Sequence, residues 1–276
     1  MRTLAIYSNK GGVGKTATAV NLSYLAAQAG VKTLICDLDP QSSATYYFRI
    51  KPKLNYGAKG FIKGGEKINK AIKGTDYENL DLLPADFTFR HLEAAFYKFK
   101  HPKERLKKII KLFEAEYDLI IFDCPVTISI LADNIFNASD FILVPLIPTT
   151  LSVRTYRQLL AFCRKNKYDT GKIYAFFSMV DRRKNMHNEL MAMMVKEYDG
   201  VLRSLIPYLS QIERMGIDRQ PVAASAPESV ASKAYRNLWV KFQKTALAII
   251  FGIFQAWPNS KLIIRPGTTN MILTGS

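Results

Sequence analysis

The chain has 276 residues, a length that suits one α/β domain or one domain with a small insertion. Its 39 lysines and arginines outnumber 23 acidic residues, and the net charge of +16 favours a polyanionic partner, nucleic acid before an acidic membrane surface, unless it serves solubility alone. Three cysteines without a Cys-x-x-Cys pair, and three histidines, argue against a disulfide framework and a zinc site.

The first predicted elements enclose a glycine-rich loop. Residues 3–7 form an apolar run that predicts a buried strand, and residues 16–28 follow a helical pattern. A strand, a glycine-rich loop and a helix in this order are typical of a phosphate-binding loop, in which Lys15 reaches the outer phosphates and the Thr16 hydroxyl binds Mg²⁺. The strict pattern G-x-x-x-x-G-K-[ST] is not met, because Asn9 stands at the first glycine position. A glycine-rich turn with incidental lysines is the alternative.

A second lysine, Lys10, stands just before the glycines. The resulting run over residues 10–16 resembles the deviant Walker A loop of the ParA/MinD family of partitioning and positioning ATPases. The resemblance implies that Lys10 reaches across a homodimer interface to the partner's nucleotide, and it assigns catalytic roles to Lys10 and Lys15. The residues implied for ATP binding in this loop are Lys10, Gly11, Gly12, Val13, Gly14, Lys15, Thr16 and Ala17.

The next predicted strand covers residues 32–38, and two carboxylates, Asp37 and Asp39, stand at its end. Side chains two residues apart leave a strand on the same face, and the carboxyl end of a parallel strand is where phosphates and their metal ions bind. The run from Asp37 through Pro40 and Gln41 resembles the ParA branch rather than the MinD branch. By that resemblance Asp39 activates the attacking water and Asp37 supports the metal ion. Carboxylates that cap the next helix are the alternative.

In the middle of the chain, predicted strands and helices alternate less regularly. Residues 49–73 are rich in lysine and glycine and predict a surface segment with a short helix or two. Residues 80–83 predict a strand, and residues 88–99 and 103–115 predict helices. Phe89, Leu92, Phe96 and Phe99 share one helical face, which indicates a stripe directed to the core.

An apolar strand over residues 117–123 ends in Asp123. A carboxylate at that end of a strand is what a Walker B element needs to hold Mg²⁺ through water, and Asp123 joins Thr16 and Asp37 as the predicted metal set. The family carries two prolines after this aspartate, whereas this chain has Pro125 and then Val126. That departure affects the shape of the following loop rather than the metal role.

The remaining elements complete an alternating pattern. Strands are predicted over residues 141–147, 172–180 and 202–206, and helices over 152–166 and 186–197. The pattern predicts an α/β fold with a mostly parallel twisted sheet flanked by helices on both faces. By resemblance, Met179 and Pro207 lie near the adenine base. The resemblance covers residues 1–244 as one ATPase domain, and residues 245–276 form an extension that is natural, a docking segment or foreign sequence.

The resemblance also implies a function. It indicates an ATPase with ATP and Mg²⁺ as ligands, slow and stimulated by a ParB-like or cargo-adaptor protein, that dimerises with ATP and binds DNA non-specifically to segregate DNA or position a cargo. The residues expected to contact DNA are Arg203, Arg214, Lys233 and Arg236. The strand at the very start of the chain argues against a signal peptide, and we expect a cytoplasmic, nucleoid-associated protein with reduced cysteines.

Two alternatives remain at this point. A MinD-like ATPase would use the apolar residues 246–257, with Lys241 and Lys244, as an amphipathic membrane anchor, which the Asp-Pro-Gln run and the broad basicity disfavour. A metabolic P-loop enzyme is the second alternative. It would carry cluster cysteines or a substrate pocket, and neither is evident in the sequence.

Overall fold

One sheet organises residues 1–51 and 57–250, the part of the chain that this computed structural model describes. Its order is β3-β4-β2-β5-β1-β6-β7-β8, and every pairing is parallel except β3 with β4. The strands are β1 (Arg2–Ile6), β2 (Thr33–Asp37), β3 (Lys73–Gly74), β4 (Leu80–Leu83), β5 (Leu119–Asp123), β6 (Phe141–Leu146), β7 (Ile173–Val180) and β8 (Val201–Pro207). The predicted mostly parallel sheet is confirmed.

Helices cover both faces of this sheet. They are α1 (Lys15–Gln28), α2 (Ser43–Tyr47), α3 (Gly57–Lys63), α4 (Glu66–Asn69), α5 (Leu92–Phe96), α6 (Arg105–Ile110), α7 (Ile130–Ala138), α8 (Thr150–Lys165), α9 (Asn185–Glu197), α10 (Ser210–Glu213), α11 (Met215–Asp218), α12 (Val222–Ser225) and α13 (Val230–Ile250). One apolar core packs α1, α2, α12 and α13 against the sheet. A second packs α3 and α5–α8 against the other face, as a parallel sheet buried on both sides requires.

The two helices predicted over residues 88–99 and 103–115 are wrong as continuous helices. Each is divided into short 3₁₀ and α segments, with 3₁₀ turns at Phe87–His91, Pro102–Glu104 and Lys111–Phe113. Pro102 begins one of these turns, where its fixed φ suits a first helical residue. The apolar stripe is nevertheless confirmed, because Phe89, Leu92 and Phe96 are buried.

The lysine-rich segment 49–73 contains the predicted short helices, but the prediction that it is a surface segment is wrong. Its residues 52–56 lie outside the described part, and the rest forms α3 and α4 as short helices. Phe61, Ile62 and Ile68 are buried in the core that covers α5–α8. The ring of Phe61 packs against that of Phe89, with centroids 5.1 Å apart. The exposed Lys59, Lys63 and Lys70 interrupt the apolar periodicity around these positions, so the sequence pattern does not reveal the core residues.

The last helix, α13, runs through residue 244 without a break, and Ala246 is buried against the sheet. The proposed boundary at 244 and the status of 245–276 stay predictions, since residues 251–276 lie outside the described part. Within the described ranges, no helix combines the length and the apolar character needed to cross a membrane.

Candidate nucleotide-binding site

The loop between β1 and α1 has the backbone of a phosphate cradle. Gly12 and Gly14 have φ values of +68° and +88°, in the left-handed region that favours glycine. At Gly14 a Cβ atom would also lie 3.0 Å from the Ser178 hydroxyl oxygen. No side chain caps the start of α1, and its first turn holds no acidic residue. The leading N–H groups of this helix are therefore suited to an anion.

The two loop lysines lie in different surroundings. Lys15 is nearly buried, and its ammonium donates a 3.4 Å hydrogen bond to the Lys10 carbonyl oxygen. Burial lowers the pKa of Lys15, while the nearby charges of Asp123 and Asp39 act in the opposite direction. The half-buried Lys10 directs its ammonium to the Ser152 hydroxyl oxygen, 3.2 Å away in the same subunit. The structure thus brings Lys10, Lys15 and the two carboxylates to one edge of the sheet.

Asp123 is the best candidate for a metal ligand. It pairs in register with Asp37 on β2 and with Ile6 on β1, so three strand ends meet beneath the loop. Its carboxylate is fully buried, and neither oxygen has a hydrogen-bond partner among the described residues. Burial raises the pKa of Asp123 well above its ordinary value, and the Asp37 charge raises it further. The Thr16 hydroxyl, which lies close but short of hydrogen-bond geometry, lowers this pKa, and so does the Lys15 charge.

A buried carboxylate without partners is costly unless a cation compensates it. The arrangement of Asp123 beside the Thr16 hydroxyl supplies hard oxygen donors, the kind that Mg²⁺ prefers. The donor set therefore fits Mg²⁺ held directly or through water.

Asp37 makes the contacts of a turn carboxylate. One of its oxygens accepts hydrogen bonds from the Thr45 N–H and hydroxyl at 2.9 and 2.8 Å, and the other accepts from the Asp39 N–H at 3.1 Å. Burial raises the pKa of Asp37 to about 6 against these bonds, which lower it. The helix-capping alternative describes these contacts, and a role of Asp37 beside the metal ion stays a prediction. Asp39 is half-buried, with one oxygen accepting from the Gln41 N–H at 2.9 Å.

The loop after Asp123 is held by residues that the sequence did not reveal. The Tyr7 hydroxyl donates to the Thr127 carbonyl oxygen at 2.5 Å. The Thr127 hydroxyl donates to the Glu93 carboxylate at 2.9 Å, and the Ser129 hydroxyl donates to the same oxygen. Val126, which replaces the family's second proline, is half exposed and lies beside Gly11. No local pattern marks Glu93 for this role, because its partners are far along the chain.

The predicted base contacts lie at the same edge of the sheet. Met179 has a φ of +52° near the end of β7, where the pairing with β8 is irregular, and Val180 pairs with Pro207. Ser178, which sequence reasoning missed, lies against Gly14 of the phosphate loop. The positions of Met179 and Pro207 suit an adenine pocket, and their contact with a base stays a prediction.

The predicted DNA contacts differ in exposure. Arg203, Arg214 and Lys233 are exposed, and the Lys233 ammonium lies 3.6 Å from the Glu228 carboxylate. Arg236 is half-buried instead: it donates to the Ser232 hydroxyl at 2.9 Å, and its buried Nε atom has no partner within the part of the chain that the structure describes. Arg236 is therefore the least available of the four to a phosphate backbone.

Comparisons with known proteins agree with this geometry. A family profile described as an AAA domain (AAA_31) matches residues 1–173. The chain is 28% identical to the virulence plasmid ParA family protein pGP5-D of Chlamydia psittaci, with 86% of this chain and 93% of that protein covered. It is 28% identical to the sporulation initiation inhibitor protein Soj of Bacillus subtilis, covering 86% and 96%.

The chain belongs to the ParA/Soj family of P-loop ATPases. Among solved ParA-like folds, a plasmid partition protein of Borrelia burgdorferi B31 bound to AMPPNP has a TM-score of 0.77 and 25% identity, covering 88% of this chain and 98% of that one. Cobyrinic acid a,c-diamide synthase of Mycobacterium smegmatis, with an ATP analogue and magnesium, has a TM-score of 0.73 and 25% identity, covering 88% and 95%. Membership in the ParA/Soj family implies ATPase activity for this chain.

Proposed function

We propose that this chain is a switch ATPase that dimerises with ATP, binds DNA non-specifically, and segregates DNA or positions a protein cargo. The observation that carries the proposal is the meeting of Lys10, Lys15 and the unpartnered Asp123 carboxylate at the carboxyl edge of the sheet. The partition relatives described above, a plasmid ParA family protein and a Soj protein, support the biological role.

The loop and the helix α1 bind the phosphates of ATP. The N–H groups from Gly11 to Thr16 face the oxygens, and the buried Lys15 exchanges its long hydrogen bond to the Lys10 carbonyl for a phosphate oxygen. Thr16 and Asp123 hold Mg²⁺, which when bound neutralises charge on the phosphates. Met179 and Pro207 line the base pocket.

Hydrolysis needs a positioned water and compensation of developing charge. Asp39 orients the water whose oxygen forms a bond to the γ-phosphorus as the bond to the β-phosphate oxygen breaks, and ADP and phosphate leave. Lys10 of a second subunit neutralises charge near the leaving oxygen. Since the triphosphate is then part of the subunit interface, nucleotide state and dimer state are linked, and loss of the γ-phosphate loosens the dimer.

The dimer is tested by analytical ultracentrifugation with AMPPNP and Mg²⁺. The unmodified chain is expected to sediment as a dimer, whereas Lys10→Ala is expected to stay monomeric while still binding a fluorescent ATP analogue, because Lys15 is intact. A Lys15→Ala control is expected to lose nucleotide binding as well. Sedimentation of Lys10→Ala as a dimer would remove the trans lysine from the mechanism.

The partner is tested by co-sedimentation with plasmid DNA or with anionic liposomes, each with ATP and with ADP. ATP-dependent retention on DNA supports the proposal. ATP-dependent retention on liposomes alone favours the MinD-like alternative, whose anchor residues lie mostly outside the described part of the chain. The activating protein is expected to raise ATP turnover only when DNA and dimer are both present.

A further inference from the structure

We propose that Ser152 is a positioning residue for Lys10. It holds the Lys10 ammonium within its own subunit until the partner's triphosphate comes within reach, and it thereby raises the protein concentration at which two nucleotide-bound subunits pair. This inference rests on the proposed function, in which Lys10 acts across the dimer interface. It adds a residue of α8 to a mechanism otherwise confined to the loop and the strand ends.

The contact is well defined on the serine side. The Lys10 ammonium donates to the Ser152 hydroxyl oxygen at 3.2 Å, and Ser152 is only 3% exposed. The same oxygen lies 3.0 Å from the Thr149 hydroxyl, so Ser152 is hydrogen-bonded within α8 as well as to Lys10. Thr149 in turn caps α8 by accepting a hydrogen bond from the Ser152 N–H at 3.3 Å. The acceptor for Lys10 is thus built into the first turn of a helix.

The Ser152 hydroxyl, at the start of α8, binds the Lys10 ammonium only weakly. The N-terminal end of a helix carries partial positive charge, which disfavours an ammonium group, and the first turn of α8 contains no acidic residue to offset it. The acceptor is a neutral hydroxyl, whereas a phosphate would offer oxygens of opposite charge, which bind an ammonium more strongly. Lys10 is therefore held by Ser152 in the monomer and released when the partner's triphosphate is within reach.

Lys10 is also held at its backbone. Its carbonyl oxygen accepts the 3.4 Å hydrogen bond from Lys15, and its N–H donates to the Ser8 hydroxyl at 3.2 Å. When Lys15 binds phosphate it leaves the Lys10 carbonyl, and the adjoining Gly11 and Gly12 allow the loop to adjust. ATP bound to one subunit thus frees the backbone at that subunit's own Lys10, while the ammonium stays on Ser152 until the partner's nucleotide replaces it.

The first test removes the acceptor. Ser152→Ala is expected to lower the midpoint concentration for AMPPNP-dependent dimerisation about fivefold, measured by sedimentation, with unchanged nucleotide affinity of the monomer. The cap of α8 survives this change, because it uses the Ser152 backbone N–H. Ser152→Thr is expected to restore the original midpoint. Thr155→Ala is the matched control, since its hydroxyl donates to the Leu151 carbonyl oxygen on the same helix.

The second test introduces a negative charge at position 152, which should shift the dimerisation midpoint in the opposite direction. Ser152→Asp places a carboxylate against Lys10 and in the first turn of α8, where a negative charge also stabilises the helix. We expect the thermal unfolding temperature to change little, because the Lys10 ammonium compensates the buried carboxylate, while the dimerisation midpoint rises at least fivefold. A serine with a merely structural role would move stability and dimerisation in the same direction.

The outcomes separate this inference from the proposed function. Unchanged or raised midpoints in Ser152→Ala, with Lys10→Ala still monomeric, overturn the role of Ser152 and leave the trans lysine standing. If Lys10→Ala dimerises normally, the proposed dimer mechanism fails and the role of Ser152 fails with it. A lowered midpoint in Ser152→Ala together with a raised one in Ser152→Asp supports the inference.

Discussion

Two single residues, Asp39 and Asp123, carry distinct parts of the proposed chemistry, and each gives a prediction. Asp39 is half-buried at the edge where the Asp37 turn begins, and its charge is close enough to raise the pKa of Lys15. We expect Asp39→Ala to bind ATP and dimerise but to lower ATP turnover at least tenfold, because the water is no longer oriented. The variant should remain on DNA after ATP is added, as followed by dissociation from immobilised duplex.

Asp181→Ala serves as the control for Asp39→Ala. Asp181 is a carboxylate that pairs with Arg183 beyond the end of β7. The Asp181→Ala variant should show ATP turnover and release from DNA close to those of the unmodified chain. Turnover of Asp39→Ala equal to that of the unmodified chain would exclude Asp39 from positioning the water.

Because the Asp123 carboxylate is buried, we predict that replacing it raises the stability of the chain and abolishes its ATPase activity. Without nucleotide, Asp123→Asn is expected to raise the free energy of unfolding at pH 7.5 by about 1–3 kcal/mol, because it removes a buried charge that Lys15 compensates only in part. The same variant should lose Mg²⁺-dependent ATP turnover. Urea unfolding and a phosphate-release assay measure the two effects.

The gain in stability expected for Asp123→Asn should depend on pH in a definite direction. Burial raises the pKa of Asp123 in the folded chain, so between the unfolded value, about 3.9, and the folded pKa the folded chain holds a proton that the unfolded chain has lost. Stability of the unmodified chain therefore falls as pH rises through that range. The advantage of Asp123→Asn should be small near pH 4 and larger at pH 7.5, and the exposed control Asp199→Asn should show no such trend. A gain that does not depend on pH would contradict this origin.

At the scale of elements, the short helix α3 shows how a lysine-rich segment contributes to the core. Phe61→Ala is expected to lower the free energy of unfolding by about 3–5 kcal/mol, since the ring is fully buried and packs against Phe89. Lys59→Ala on the same helix, at an exposed position, should change it by about 0.5 kcal/mol or less. Equal urea midpoints for the two variants would show that α3 does not belong to the cooperative core.

The elements that could be predicted are those whose signals are local. The strand, loop and helix around Gly14 are contiguous in the chain, and the strand ending in Asp123 is a continuous apolar run, so their placement follows from pattern alone. The contact of Lys10 with Ser152 joins positions 142 residues apart, and periodicity carries no information on such a pair. The burial of Phe61 was missed because helices of one or two turns are too short to show a period.

The whole molecule presents its charge on more than one surface, and this decides the last prediction. Arg203 lies on the edge strand β8 and is tied to α13, since the Lys241 ammonium donates to its carbonyl oxygen at 2.5 Å. Lys107, Lys108 and Lys111 lie exposed by α6, which packs on the opposite face of the sheet. A net charge of +16 attracts DNA from any direction, so the location of binding must be tested against charge alone.

We therefore predict different effects from two variants that each remove three positive charges. Replacing Arg203, Arg214 and Lys233 by alanine should weaken binding of random duplex DNA at least tenfold in AMPPNP, and should reduce the salt slope by about 0.9 for each phosphate that the variant no longer neutralises. The control replaces Lys107, Lys108 and Lys111 by alanine and should change affinity less than threefold. Fluorescence anisotropy at several salt concentrations measures both. Equal reductions in affinity for the two variants would mean that net charge, rather than the surface near β8 and α13, attracts the duplex.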